Sequence, residues 1–402
     1  MQEIIMLAHV LTDSVNEGFI PAASQLGYSV IVLTDHAEAH RNYFGQAGLP
    51  AYPAEIIACD VFNPVAVLNA ITRRSSAPAA IFSNSDHLQA STSIAAEYFG
   101  LPRKSWQVAY RVKNKAEMRA YLQRSGVDML WHAVVCDPQR LAEVIGKVPF
   151  PCIVKPREGV ASLLVSLCRD REELEKRCRE LWSEQPGYAL LLEEYIEGPL
   201  YTLETLGDGK TLRVLGGFKV ELSPPPHFIE LEAHWGTGLP QAVENRVVEM
   251  IQALGITFGA CHSEFVLTDA GPRLIEVNYR CIGDYREFLL QETLGFPLFE
   301  QVLRLYLGEA LPALELASNA ASIRYFTANS SGKLVCTPRT FDWQIEGVQL
   351  SYKPLREKGD ALSLTHSNKD YLGVLRGTGA DPARLAQEME RVSQSLTWEI
   401  VA

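Results

Sequence analysis

The sequence predicts a mixed architecture, α/β at its start and α+β through the rest. Three observations carry this. Residues 1–108 alternate apolar strand-like runs with helical ones, the order that gives a parallel sheet flanked by helices. From residue 211 strand-like runs follow one another directly, as antiparallel neighbours do, and two of them are joined by the dense turn signal Asp269-Ala270-Gly271-Pro272. From about residue 312 short strand-like runs lead to a final helical one, which predicts a small α+β terminal module.

In order, EIIMLAHV is a strand, IPAASQLGY a helix and SVIVLTD a second strand. AVLNAITRR is helical, PAAIFSN a strand, and STSIAAEYFGL a helix closed by Gly100 and Pro102. HVLTDSVNEG stands where a dinucleotide fold would carry G-x-G-x-x-G, so a nicotinamide reading lacks its fingerprint. Asp86 follows a strand, either as a helix N-cap or at the strand end where open α/β sheets place ligands.

RVKNKAEMRAYLQRSG, residues 111–126, reads as one amphipathic helix ending at Gly126. FPCIVKP is a strand into Lys155-Pro156, ASLLVSLC a second strand, and a charged helix follows. LLLEEYIEGPLYTLETL is a strand, an acidic break and another strand. A lysine ending one strand and an acidic break closing another suit a nucleotide cleft between sheets, the lysine as a point charge on phosphate. A surface lysine on an edge strand explains Lys155 equally well at this point.

TLRVLGGFKVE reads as antiparallel strands, SPPPHF as a connector and AVENRVVEMIQALG as a helix. HSEFVLT and RLIEVN then form a hairpin. A four-residue turn places Thr268 near Arg273 and Glu264 close to opposite Glu276. Asn278 falls on the same face, with Ile275 and Val277 pointing away. Opposed carboxylates repel across a sheet unless something cationic lies between them. Two readings stand: a solvated face with unrelated acids, or a site for a hard divalent cation with oxygen ligands. GDYREFLLQETLGFPLFEQVLRLYLG is helical with a break at Gly295-Phe296-Pro297.

A chain of 402 residues implies two or three domains, and 47% hydrophobic with 21% charged residues implies a soluble globular protein. A net charge of −11 argues against a nucleic-acid or anionic-membrane surface while leaving room for a local basic pocket. The eight cysteines form no C-x-x-C pair or zinc spacing and read as reduced thiols of a cytoplasmic protein. No membrane span is expected, and MQEIIMLAHV does not read as a signal peptide.

The order of features is more specific than any one of them. A lysine on a helix, a lysine after a strand, an acidic break, then H-x-E and E-V-N-x-R on a hairpin resemble the ATP-grasp superfamily. Within it, the pattern is most similar to the L-amino-acid ligases and D-alanine–D-alanine-ligase-like carboxylate–amine ligases. YLGVLRGTGADPARLAQEMERV resembles the ending of those ligases, so the resemblance spans nearly the whole chain. It implies an N-terminal α/β domain over 1–110, an ATP-grasp lid subdomain over 111–200, a larger subdomain carrying the hairpin over 201–311, and the α+β module over 312–402.

The resemblance further implies that Lys115 and Lys155 reach ATP phosphates, with Ser162 in the covering loop and Glu193, Glu194 and Ile196 holding adenine. It assigns Glu264, Glu276 and Asn278 to magnesium, with manganese as the alternative, and Arg280 to phosphate or acyl phosphate. Glu204, Glu230 and His262 are implied on the substrate side and Lys219 in catalysis. Three positions depart from the family: Leu200 stands where a ribose-binding glutamate is common, REGVASLL is poor in glycine, and Ile282-Gly283 keeps one of two usual glycines. The activity implied is ATP-dependent amide formation from small-molecule carboxylate and amine substrates in secondary metabolism, by a cytoplasmic protein with a homodimer as the commonest oligomer. The alternatives are an ATP-grasp carboxylase of the biotin or purine type and a nucleotide-binding protein without turnover.

Overall fold

The computed structural model describes residues 2–401 apart from 314, 315 and 318. Its first sheet is parallel, in the order Glu55–Ala58, Ser29–Thr34, Glu3–Leu7, Ala80–Phe82. Ile4 and Met6 join one apolar core while Ile5 and Leu7 join another on the opposite face. That double burial is why EIIML is an unbroken apolar run. Helix Ala37–Phe44 and edge strand Glu55–Ala58 fall outside the sequence expectation. The helix buries only Ala37, His40 and Phe44, too thin a stripe to register, and the strand is exposed at both ends.

The second sheet is antiparallel and joins His132–Val135, Leu190–Glu194, Cys152–Pro156 and Ser166–Cys168. Val135, Val154, Leu174 and Trp182 lie in the core that fastens it to its helices. Residues 161–168, expected as a strand throughout, are strand only over Ser166–Cys168. Ala161, Ser162 and Leu164 have φ of 56°, 54° and 63°. Those left-handed values turn the chain where a strand would extend it.

The helix expected over 111–126 is two helices, Trp106–Lys113 and Lys115–Arg124. Asn114 stands between them at φ −84°, ψ 98°, and its side chain accepts a hydrogen bond from the Glu117 N–H. Asparagine offers the backbone this alternative to helix continuation. Lys115 thereby opens the second helix, and its N–H donates to the Arg157 carbonyl at 3.2 Å. Asn114→Ala is expected to lower stability by about 1 kcal/mol in urea unfolding. An unchanged midpoint would remove the cap from this account.

The third sheet has ten strands. From one edge the order is Gly271–Asn278, Phe258–Thr268, Leu200–Asp208, Phe218–Leu222, Glu230–Trp235, Ala320–Thr327, Tyr371–Gly379, Val348–Pro354 and Phe341–Ile345, with Leu212–Gly216 branching from Leu200–Asp208. Glu232 pairs with Arg324 in register, so the segment read as a terminal module continues the central sheet. Among the described residues no helix is long and apolar enough to cross a membrane.

Candidate active site

The hairpin at the sheet edge is tighter than the turn signal suggests. Thr268 pairs with Gly271, leaving a two-residue turn, Asp269-Ala270. Continued without a break, that register would set Glu264 opposite Ile275. A β-bulge between Phe265 and Glu264 absorbs Ile275 and restores Glu264 opposite Glu276, with His262 opposite Asn278. The bulge also turns Ile275 into the cleft, where simple alternation would point it away.

Arg119 holds that bulge. Its Nη1 donates to the Leu274 carbonyl and its Nη2 to the Ile275 carbonyl at 3.1 Å. Its Nε donates to Glu193 Oε1 at 2.5 Å, and Lys155 Nζ meets Glu193 Oε2 at 2.5 Å. All three side chains are buried. Burial would raise the Glu193 carboxyl, but Arg119 and Lys155 overcome it and hold the group down to about 2. Lys155 is held below the ordinary lysine range by burial, helped by Arg119 and Lys115 and opposed by Glu193. Glu193 thus ties the lysine and the hairpin together through its side chain. Arg119 escaped the sequence reading, although its place four residues after Lys115 puts both on one helix face.

Lys155, Lys115, Glu193, Glu194, Ile196, Ser162, Glu230, Glu264 and Glu276 line one cleft between the second and third sheets. Lys115 Nζ donates to the Gly159 carbonyl at 2.7 Å and lies 3.1 Å from Glu276 Oε1. Burial opposes its charge, yet Glu276, Asp86 and Glu264 raise its pKa. Glu194 Oε2 accepts from the Trp131 N–H at 3.3 Å. Gly198 closes the acidic break: at φ 152° a Cβ there would sit 2.4 Å from the Leu267 carbonyl oxygen. Apolar walls come from Leu130, Ile153, Leu200, Leu222, Phe228 and Val266.

Behind the acids sits a charged relay. Glu204 Oε1 lies 2.8 Å from His262 Nδ1, and His262 Nε2 lies 3.2 Å from Glu264 Oε1. Burial lowers the imidazole's pKa, but Glu204 and Glu264 outweigh it and carry it to about 9, so His262 is an imidazolium at neutral pH. Glu264 is held below the usual carboxylate range despite burial, chiefly by His262.

These residues fit a hard cation. Two carboxylates face each other in register, and the buried Asn278 amide on their sheet face has no side-chain hydrogen bond among the described residues. Lys115 and His262 supply the nearby positive charge. Among the described residues the one three-member cluster of His, Cys, Asp or Glu with ligand spacing is elsewhere, at His9, Asp35 and His36, so the third ligand here would be the amide.

Glu230 pairs with Arg286 at 2.7 Å and accepts from Asn368 Nδ2 at 3.3 Å. Asn368 N–H also donates to the Ala161 carbonyl at 3.1 Å, so the carboxyl-terminal part of the chain, which showed no chemistry in sequence, braces the turn that carries Ser162. Arg280 lies outside the cleft, on a second cavity that it shares with Asp86. Asp86 caps no helix; it is ion-paired with Lys113. Burial would raise its carboxyl, and Lys113 and Arg280 hold it down to about 2.

Lys219 is not brought to the cleft. It pairs in register with Tyr201, on the face opposite Leu200, and its half-exposed side chain lies 3.6 Å from Glu221. Lys219→Ala is expected to leave kcat/KM within about twofold of the unmodified protein. A loss of tenfold or more, about 1.4 kcal/mol, would return it to the reaction.

The cleft has lysines on one wall and opposed acids on the other. Residues 148–287 match the family model described as an ATP-grasp domain. The chain is 28% identical over 292 residues to the uncharacterized protein y4rH of Sinorhizobium fredii, covering 70% of this chain and 60% of that one. It is 32% identical over 206 residues to carnosine synthase 1 of Mus musculus, covering 45% of this chain and 25% of the synthase. The chain thus spans about a quarter to three-fifths of the length of these curated relatives. Its fold is similar to that of the L-amino acid ligase from Bacillus licheniformis, with a TM-score of 0.80 at 19% identity over 100% of this chain and 99% of the other.

Proposed function

We propose that the protein is an ATP-dependent carboxylate–amine ligase that forms an amide through an acyl phosphate and releases ADP and phosphate. One observation carries this reading: Lys115, buried in the wall of the cleft, bridges the Gly159 carbonyl beside the turn and Glu276 on the hairpin. A carboxylate is a poor acyl donor because oxide is a poor leaving group. Transfer of the γ-phosphoryl group supplies a good one, and catalysis is then mostly positioning and charge neutralisation.

In this reading the apolar walls and the 193–196 break take the adenine, and Lys115 and Lys155 take phosphate charge. Glu264, Glu276 and Asn278 would hold magnesium, which when bound draws the phosphate oxygens together and offsets their charge. Protonated His262, fixed by Glu204, keeps Glu264 ionised and oriented. Arg280 faces the adjoining cavity and neutralises the acyl phosphate from that side. The carbonyls of Leu274 and Ile275, satisfied by Arg119, keep the bulge from relaxing and so keep the two acids opposed.

The test is a phosphate-release screen of amino acids, hydroxy acids and polyamines, singly and in pairs. Release that requires both a carboxylate and an amine, and requires magnesium, is the expected result. Release that depends on bicarbonate would assign a carboxylase, and tight ATP binding without release on any pair would deny turnover.

A further inference from the structure

The carboxyl ends of the first two parallel strands bring three metal-ligating side chains together, away from the cleft. Strand Glu3–Leu7 runs into Ala8-His9, and strand Ser29–Thr34 runs into Asp35-His36. The strands pair in register up to Leu7 with Leu33, so the residues that follow leave the sheet side by side. His9 Nδ1 lies 2.9 Å from each oxygen of Asp35, and His36 Nε2 lies 3.9 Å from Asp35 Oδ2. One ligand atom from each of the three residues lies within 4.8 Å of the other two. Among the described residues no lysine or arginine pairs with Asp35; its ionisable partners are the two imidazoles.

The backbone that carries these ligands is fixed from below. Thr34 is fully buried; its Oγ1 donates to the His9 carbonyl at 3.1 Å and accepts from the His36 N–H at 3.0 Å. His40, also fully buried, donates from Nε2 to the same His9 carbonyl at 3.1 Å. The His9 ring stands edge-on to Phe62 and to His36, with centroids 5.1 and 4.7 Å away. The backbone of both segments is therefore already in place, and the three side chains, all partly exposed, need only rotate to close on an ion. Ligand atoms bound at about 2.0–2.2 Å from a zinc-class ion stand roughly 3–4 Å from one another. Asp35 already has that spacing to each histidine, at 2.9 and 3.9 Å.

We propose that His9, Asp35 and His36 form a second metal site, one for a divalent ion of the zinc class. Two imidazole nitrogens and a carboxylate oxygen favour zinc, nickel or cobalt over magnesium, which takes oxygen ligands. The opposed acids of the hairpin have the reverse preference, so the two sites differ in the metal they take. Three protein ligands leave a tetrahedral ion one position open to water. Asp35 changes role on loading: without the ion it accepts from His9, and with it one carboxylate oxygen turns to the metal. Residues 7–15 line the second cavity beside Asp86 and Arg280. An ion on His9 ties that wall to the end of the neighbouring strand. The site shares no residue with the cleft and does not depend on the ligase reading.

The test titrates the full chain, stripped of metal by a chelator, with zinc chloride in excess magnesium, and measures bound zinc by equilibrium dialysis. About one zinc ion per chain, retained against magnesium, is the expected result. His9→Ala and His36→Ala are each expected to weaken zinc binding at least about tenfold, the lower bound for losing even a group that only supports a ligand. Glu276→Ala is expected to leave zinc binding unchanged, because it removes a carboxylate of the other site. His36 is nearly half exposed, so His36→Ala keeps the fold, and an unchanged urea midpoint in that variant marks the loss as one of ligation. Should His9→Ala fail to fold, His36→Ala decides alone. Zinc binding undiminished in His36→Ala would overturn the proposal, as would zinc that excess magnesium displaces. Zinc lost in Glu276→Ala and kept in His36→Ala would assign it to the hairpin and overturn the proposal as well.

Discussion

Glu276→Ala is expected to lower kcat at least about a hundredfold at saturating magnesium and substrates, because it removes a carboxylate that no neighbour replaces. Glu264 already accepts from His262, and Asn278 is neutral, so neither carries the missing charge. The fold should tolerate the change, since Glu276 is nearly a quarter exposed and its removal relieves the repulsion from Glu264. Lys115 loses its carboxylate but keeps the Gly159 carbonyl. Phosphate release and the urea midpoint, measured together, separate the two effects. Near-normal turnover would mean that Glu276 is no metal ligand.

Glu193→Ala is expected to be the most destabilising single substitution in the cleft. It strands Lys155 and Arg119 as buried cations, and breaking a buried pair from one side costs about 3–5 kcal/mol. The pH dependence gives a second handle on the same group. The Glu193 carboxyl is depressed to about 2 from an ordinary 4.5. A depressed acid stabilises the folded state fully above its unfolded value, and that contribution is lost as pH falls from 4.5 toward 2. At about 1.4 kcal/mol per unit the contribution is about 3 kcal/mol. The difference in urea stability between the unmodified protein and Glu193→Ala should therefore be flat above pH 5 and shrink below it. A difference that stays constant down to pH 3 would place the stabilisation elsewhere.

What could be read in the sequence and what could not divide by distance along the chain. Glu264 and Glu276 are joined by one short hairpin, and the turn residues between them are enough to oppose them, even though the turn is two residues shorter than its signal. The bulge that keeps them opposed is invisible locally, because its carbonyls are satisfied by Arg119, 155 residues upstream of Leu274. Asn114 broke the helix expectation for a local reason that its cap competence already contains. Lys219 misled because its place in the chain suits a pocket residue, while register puts it on the far face of the sheet. The continuity of the central sheet likewise rests on a single long-range pairing, Glu230–Trp235 with Ala320–Thr327.

The acyl-phosphate route is tested most directly by following oxygen. With the substrate pair that releases most phosphate, the carboxylate is supplied labelled with heavy oxygen and the released phosphate is analysed by mass spectrometry. One labelled oxygen transferred from carboxylate to inorganic phosphate per turnover is the expected result, since the C–O bond to that oxygen breaks when the amine adds. Unlabelled phosphate with amide formed, or label recovered in AMP, would contradict it.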